Sequence, residues 1–115
     1  MINANTAVNK FGVMYLSKSI LQPMEPEQCY NCGSRVAPEV HHIYAGTANR
    51  SISDANGFWV YLCARCHRGK NGAQYSSLGY RLKRECQEEF EKTHTREEFM
   101  KLIGRNYVTD EEEEN

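Results

Sequence analysis

A small α+β domain is the fold class this sequence predicts, and three observations predict it. Two Cys-x2-Cys pairs, Cys29/Cys32 and Cys63/Cys66, are separated by 30 residues. Two short β-prone runs, residues 39–44 and 58–62, lie between the pairs. From residue 76 onward, apolar residues recur at helical spacing behind capping signals. At 115 residues the chain is expected to form one domain over residues 1–108, with an acidic tail at 109–115. Such a chain buries a limited apolar core, so a staple between the cysteine pairs would carry a large share of the stability.

Residues 8–21 contain Phe11, Val13, Met14, Tyr15, Leu16, Ile20 and Leu21 in a pattern that fits strand and helix equally. Pro23 and Pro26 end this run, which is expected to pack back onto the core. Residues 29–33 read as a knuckle: two cysteines face one ion, and Gly33 supplies the positive φ such turns use. In the strand read over residues 39–44, alternation puts Val40, His42 and Tyr44 on one face and His41 and Ile43 on the other. Residues 45–57 read as a polar loop, with Gly46, Asn49, Asn56 and Gly57 as turn formers.

The run Phe58, Trp59, Val60, Tyr61, Leu62 has the strongest strand composition and delivers the second knuckle and His67. Residues 68–72 read as a loop or a broken helix start. Ser76 or Ser77 can cap a helix running to about His94, with Leu78, Leu82, Cys86 and Phe90 at i+4 spacing. Thr95 and Glu98 form a capping box ahead of Phe99, Leu102 and Ile103, and Gly104 stops that helix. Residues 110–114 read as a disordered, solubilising tail.

Hydrophobic and charged contents of 40% and 25% are those of a soluble globular protein. No apolar run approaches the ~18 residues of a membrane span, and the N-terminus lacks the pattern of a secretory signal. The expectation is a cytoplasmic protein without a membrane partner. In that compartment, paired cysteine spacing favours metal thiolates over disulfides and leaves Cys86 as a core residue. The net charge of −1 conceals an asymmetry. Residues 1–84 carry ten Lys/Arg against Glu25, Glu27, Glu39 and Asp54, whereas residues 85–115 carry four against eleven acids. A basic, motif-bearing segment suits nucleic-acid contact on one face, while the overall balance disfavours a dedicated DNA-binding module.

Cys29, Cys32, Cys63 and Cys66 have the spacing of one structural Zn2+ site, because two knuckles supply two edges of a tetrahedron. Neither pair sits in the strand–helix context of a redox Cys-x2-Cys motif. His41, His42 and His67 are the candidates for chemistry. One of the adjacent pair, with His67, can bind a second divalent cation while the other histidine stays free to take a proton. The competing readings are a satisfied strand histidine at His41 or His42 and a place in the zinc shell for His67. Arg35, Arg50, Arg65, Arg68 and Lys70 can meet phosphates without reading bases. Trp59 and the tyrosines read as core residues.

Three runs together carry a resemblance: Cys29-Tyr-Asn-Cys-Gly, Val-His41-His42-Ile, and Tyr-Leu-Cys63-Ala-Arg-Cys-His67-Arg-Gly-Lys70. Over about residues 28–72 the chain resembles the zinc-containing branch of the HNH endonucleases, many of them phage-encoded, and residues 95–107 are similar to a terminal helical segment of phage relatives. The resemblance implies a zinc-stapled ββα-metal core followed by two C-terminal helices. It also implies His42 as general base, with His41 and His67 holding a catalytic cation (Mg2+, Mn2+, Ni2+ or Zn2+). The family's middle Asn falls at Phe58, so Asn56, two residues earlier, is the nearest candidate to orient the base. Gln74 stands where some phage relatives carry a further histidine.

The function implied is metal-dependent DNA endonuclease activity. The alternative is an HNH-like zinc protein that has lost catalysis and inhibits a host nuclease or nucleoprotein complex, as anti-CRISPR proteins do. Phe58, Gln74 and the acidic C-terminal part motivate that alternative.

Overall fold

The computed structural model describes residues 6–8, 14–74 and 76–108; the acidic tail expected at 109–115 lies outside them. The chain has an α+β fold. Its elements are β1 (Thr6–Val8), β2 (Met14–Ser17), β3 (Glu39–His42), α1 (Thr47–Asn56), β4 (Trp59–Leu62), α2 (Ala64–Arg68), α3 (Ser77–Phe90) and α4 (Arg96–Ile103). The strands form two antiparallel pairs, β1 with β2 and β3 with β4. In the second pair Glu39 faces Leu62, Val40 faces Tyr61, His41 faces Val60 and His42 faces Trp59.

The polar loop expected at 45–57 is instead the helix α1. Its Asn- and Ser-rich composition is weakly helix-forming, but propensity gives way to packing. Ile52 packs on the core, Ser53 is buried, and the helix lies against β2 and β3. Gly57 ends it in the left-handed region at φ 76°, with its N–H donating to Ser53 O at 2.9 Å. A side chain there would run into the Lys18 carbonyl.

Residues 17–22 run along β4 and occupy groups that an open edge would expose. Ser19 Oγ donates to Trp59 O (2.6 Å), Tyr61 N–H donates to Gln22 Oε1 (2.6 Å), and Ile20 N–H donates to Gly57 O (3.0 Å). The Trp59 indole donates to Ser17 O at 2.7 Å. Every residue of β4 is buried, as its unbroken apolar run requires.

The core joins β4 to the two C-terminal helices. Phe58, Leu62, Leu82, Cys86 and Phe99 are fully buried there. Burial pushes the Cys86 thiol up to about 12, an inert core thiol. Ser76 caps α3 by accepting from Leu78 N–H. Thr95 and Glu98 complete the capping box of α4, which Gly104 closes. Gln87, fully buried in α3, donates to Glu91 and Asn106 (2.8 Å each) and accepts from Tyr107 N–H (2.7 Å), fastening the segment after α4.

Strand alternation stops earlier than expected. β3 ends at His42, the chain bends, and the consecutive residues Ile43 and Tyr44 are both buried. The Tyr44 hydroxyl donates to Lys83 O at 2.7 Å.

Candidate functional site

The two knuckles meet. Cys29, Cys32, Cys63 and Cys66 offer sulfurs that all lie within 4.8 Å of one another, the only such group of three or more ligand-type side chains among the described residues. Cys32 and Cys63 Sγ are 3.7 Å apart, close to the ~3.8 Å edge of a sulfur tetrahedron with metal–sulfur bonds of about 2.3 Å. The first knuckle is closed by Gly33 N–H donating to Cys29 O (2.8 Å) at φ 83°. In the second, Cys63 precedes α2 and places Cys66 one turn later.

Donors surround the sulfurs. Cys32 N–H points at Cys29 Sγ (3.4 Å), Asn31 Nδ2 donates to Cys66 Sγ (3.3 Å), and Arg81 in turn holds Asn31 Oδ1 (3.1 Å). Burial opposes ionisation of Cys29, but backbone hydrogen bonds from Cys63, Cys32 and Asn31 outweigh it and hold the thiol at about 6. The Arg65 guanidinium beside Cys32 adds positive charge to the cluster. Four convergent sulfurs with such partners fit a tetrahedral metal ion. His67 is turned away from this set.

His67 sits on α2, one residue beyond Cys66, and meets His41 of β3 edge to face with ring centroids 5.0 Å apart. Its Nδ1 is 2.7 Å from Glu39 Oε1, and Glu39 also takes Arg68 through Nε (3.1 Å) and Nη2 (2.6 Å). Those hydrogen bonds, from Arg68 and then His67, hold the Glu39 carboxyl at about 2. The His41 imidazole, unlike its backbone in the β3–β4 ladder, has no hydrogen bond among the described residues. Burial, reinforced by the nearby His67, His42 and Lys83, holds its imidazole at about 4, so it is neutral at pH 7.

His42 turns toward α1, where its Nε2 lies 2.7 Å from Asp54 Oδ1, with both side chains about one-quarter exposed. The adjacent histidines therefore have separate partners. They still line one cleft of about 510 Å³ together with His67, Arg50 and Gln74, so the opposite faces expected from alternation do not give them separate sites.

Asn56 is elsewhere. Its Nδ2 donates to Ile52 O (2.9 Å), and its side chain borders a different cleft, shared with Lys18 and His94. Phe58 is fully buried, edge-on to Tyr44 and Phe90 with ring centroids 5.5 Å apart in each case. Of the basic candidates, Arg50 lines the histidine cleft, Arg68 is held by Glu39, Arg65 is beside Cys32, and Arg35 donates to Gln28 (3.2 Å). Lys70 is exposed.

Sequence reasoning missed Asp54 and Glu39, each bonded to a histidine. Glu39 lies two residues before His41, and strand alternation would have put the two on one face. Asp54 carries no local signal until residues 47–56 are known to be helical. Among the described residues, no helix is long and apolar enough to cross a membrane. Comparison of the chain with protein-family models, curated proteins and solved structures found no match.

Proposed function

We propose that the protein is an HNH-like, metal-dependent DNA endonuclease of phage type, stapled by Zn2+ on Cys29, Cys32, Cys63 and Cys66. The observation that carries this reading is the grouping of His41, His42 and His67 in one cleft with Arg50, directly beside the four-cysteine cluster. His41 and His67 would hold a divalent cation, with Glu39 fixing the His67 ring from behind. Two imidazole ligands leave other coordination positions open, as hydrolytic sites require. When bound, that cation supplies Lewis-acid stabilisation of charge developing on a phosphate.

The chain's own residues do the rest. His42 takes a proton from the attacking water, whose oxygen bonds to phosphorus as the ester P–O bond breaks. The leaving oxygen takes its proton from solvent. Arg50 on the cleft wall offers a phosphate contact that reads no base.

The test is nicking of supercoiled plasmid by the zinc-loaded protein in Mg2+, Mn2+ or Ni2+. His42→Ala and His67→Ala should lower nicking by at least about 10³-fold, to a small residual rate, while the far-ultraviolet dichroism is unchanged. Absence of nicking by the wild type in all three metals, with enzyme in excess over DNA, would sink the reading.

One observation favours a second reading, a zinc-stapled scaffold that binds and inhibits a host nuclease complex without catalysis. The position of the middle Asn is taken by the core residue Phe58, and Gln74 rather than an imidazole lines the cleft. On that reading His42→Ala leaves partner inhibition intact. The acids of α3 and its C-cap support it little, because Glu85 and Glu88 pair with Arg81 and Arg84, Glu89 with Lys92, and the C-cap residue Glu91 with Arg96.

A further inference from the structure

Asp54 and His42 come from different elements, α1 and β3, and meet at 2.7 Å. Among the described residues neither side chain has another hydrogen-bond partner. The placement of Asp54 follows from the cap and packing of α1. Gly57 stops the helix, Ser17 Oγ donates to Ala55 O at 2.7 Å, and buried Ser53 turns the inner face of the helix toward the core. A carboxylate only accepts hydrogen bonds, so the imidazole nitrogen facing it must carry a hydrogen. In a neutral imidazole the other nitrogen then holds the lone pair.

We propose that Asp54 is the positioning residue of this site: it accepts Nε2–H of His42, fixes the ring in one tautomer and orientation, and leaves Nδ1 as the proton acceptor. This rests on the endonuclease reading above, and it places on a helical aspartate the orienting task for which the sequence offers no asparagine at residue 58. The arrangement follows the logic of a base held by a third group, where loss of the holder lowers turnover without loosening substrate.

The experiment has two independent arms. In the first, steady-state nicking is measured for wild type, Asp54→Ala, His42→Ala and the double variant, with plasmid in excess over enzyme. Asp54→Ala should lower kcat by about 10²-fold, within the range that a general base contributes, and change KM by less than about threefold. In the His42→Ala background the same substitution should change the residual rate by less than about twofold, because its effect passes through the missing ring. An equal loss in both backgrounds, or a loss residing in KM, overturns the proposal in favour of a structural role. Should Asp54→Ala fail to fold, Asp54→Asn, of equal volume, carries the same cycle.

The second arm reads the free, zinc-loaded protein by 15N NMR at pH 8. His42 should show Nε2–H in a single tautomer with a slowly exchanging downfield proton, lost in Asp54→Ala. A wild-type spectrum without that proton overturns the proposal whether or not the protein cleaves DNA. A protein that shows the proton yet never nicks DNA overturns the endonuclease reading alone.

Discussion

Replacing Phe58 by asparagine would supply the residue that the resemblance to HNH endonucleases leads one to expect there, and it should unfold the protein rather than improve a site. The Phe58 ring is fully buried and packs against Tyr44, Phe90 and Phe99, at centroid distances of 5.5, 5.5 and 6.2 Å. Removing such a ring costs about 3–5 kcal/mol through lost transfer energy and the cavity left behind. An asparagine amide at the same place, among rings whose one polar group, the Tyr44 hydroxyl, already donates to Lys83 O, adds about 1–3 kcal/mol for unmet hydrogen bonds. A total of roughly 4–8 kcal/mol approaches the whole stability of a small domain. Urea unfolding followed by fluorescence of the single, buried Trp59 measures it. Phe58→Leu, which conserves apolar character, should cost less than about 1.5 kcal/mol. Finding Phe58→Asn within about 2 kcal/mol of wild type would refute the packing argument.

Three further outcomes follow from the same geometry. If the four thiolates hold the proposed zinc, Cys66→Ser or treatment with a chelator should lower Tm by more than ~10 °C, and mass spectrometry of the native protein should find one zinc per chain. Glu39→Gln should weaken divalent-cation binding at the histidine cleft by about 10- to 100-fold, as loss of a carboxylate behind a ligating imidazole does, read by Mn2+ titration under electron paramagnetic resonance. Ser53 Oγ is buried without a hydrogen-bond partner, so Ser53→Ala should raise stability by roughly 1 kcal/mol in the urea assay.

Much of this was legible in the residues, and what was not has a physical reason. The four cysteines could be read from spacing alone because a knuckle is a local object. The helices after residue 76 carried their own boundary signals: Ser76 and Thr95 with Glu98 start them and Gly104 stops α4, while α3 ends at Phe90 rather than near His94. α1 was illegible because its residues are poor helix formers and its reason to be helical is tertiary.

That single miss also explains the misplaced Asn56. In a loop, residues 54 and 56 are interchangeable neighbours. On a helix they are about 200° apart at ~100° per residue, so a helix that turns Asp54 to His42 turns Asn56 away. The ion-paired acids of α3 were equally hidden, since charge counts over a segment do not say which acids already hold a partner.

The cysteine cluster also has a topological consequence. Joined through one ion, the two knuckles would make the chain between them a closed ring, with His41, His42 and Asp54 inside it and His67 just outside the clasp. Lengthening such a ring is cheap, about 0.6 kcal/mol for each doubling, so the bend before α1 could absorb extra residues with little effect on the clasp. The distance from clasp to His67 has no such slack. One residue added between Cys66 and His67 would rotate the imidazole by about 100° on α2 and carry it away from His41. The ring sets how freely this chain can vary in length, and the clasp sets where it cannot vary at all.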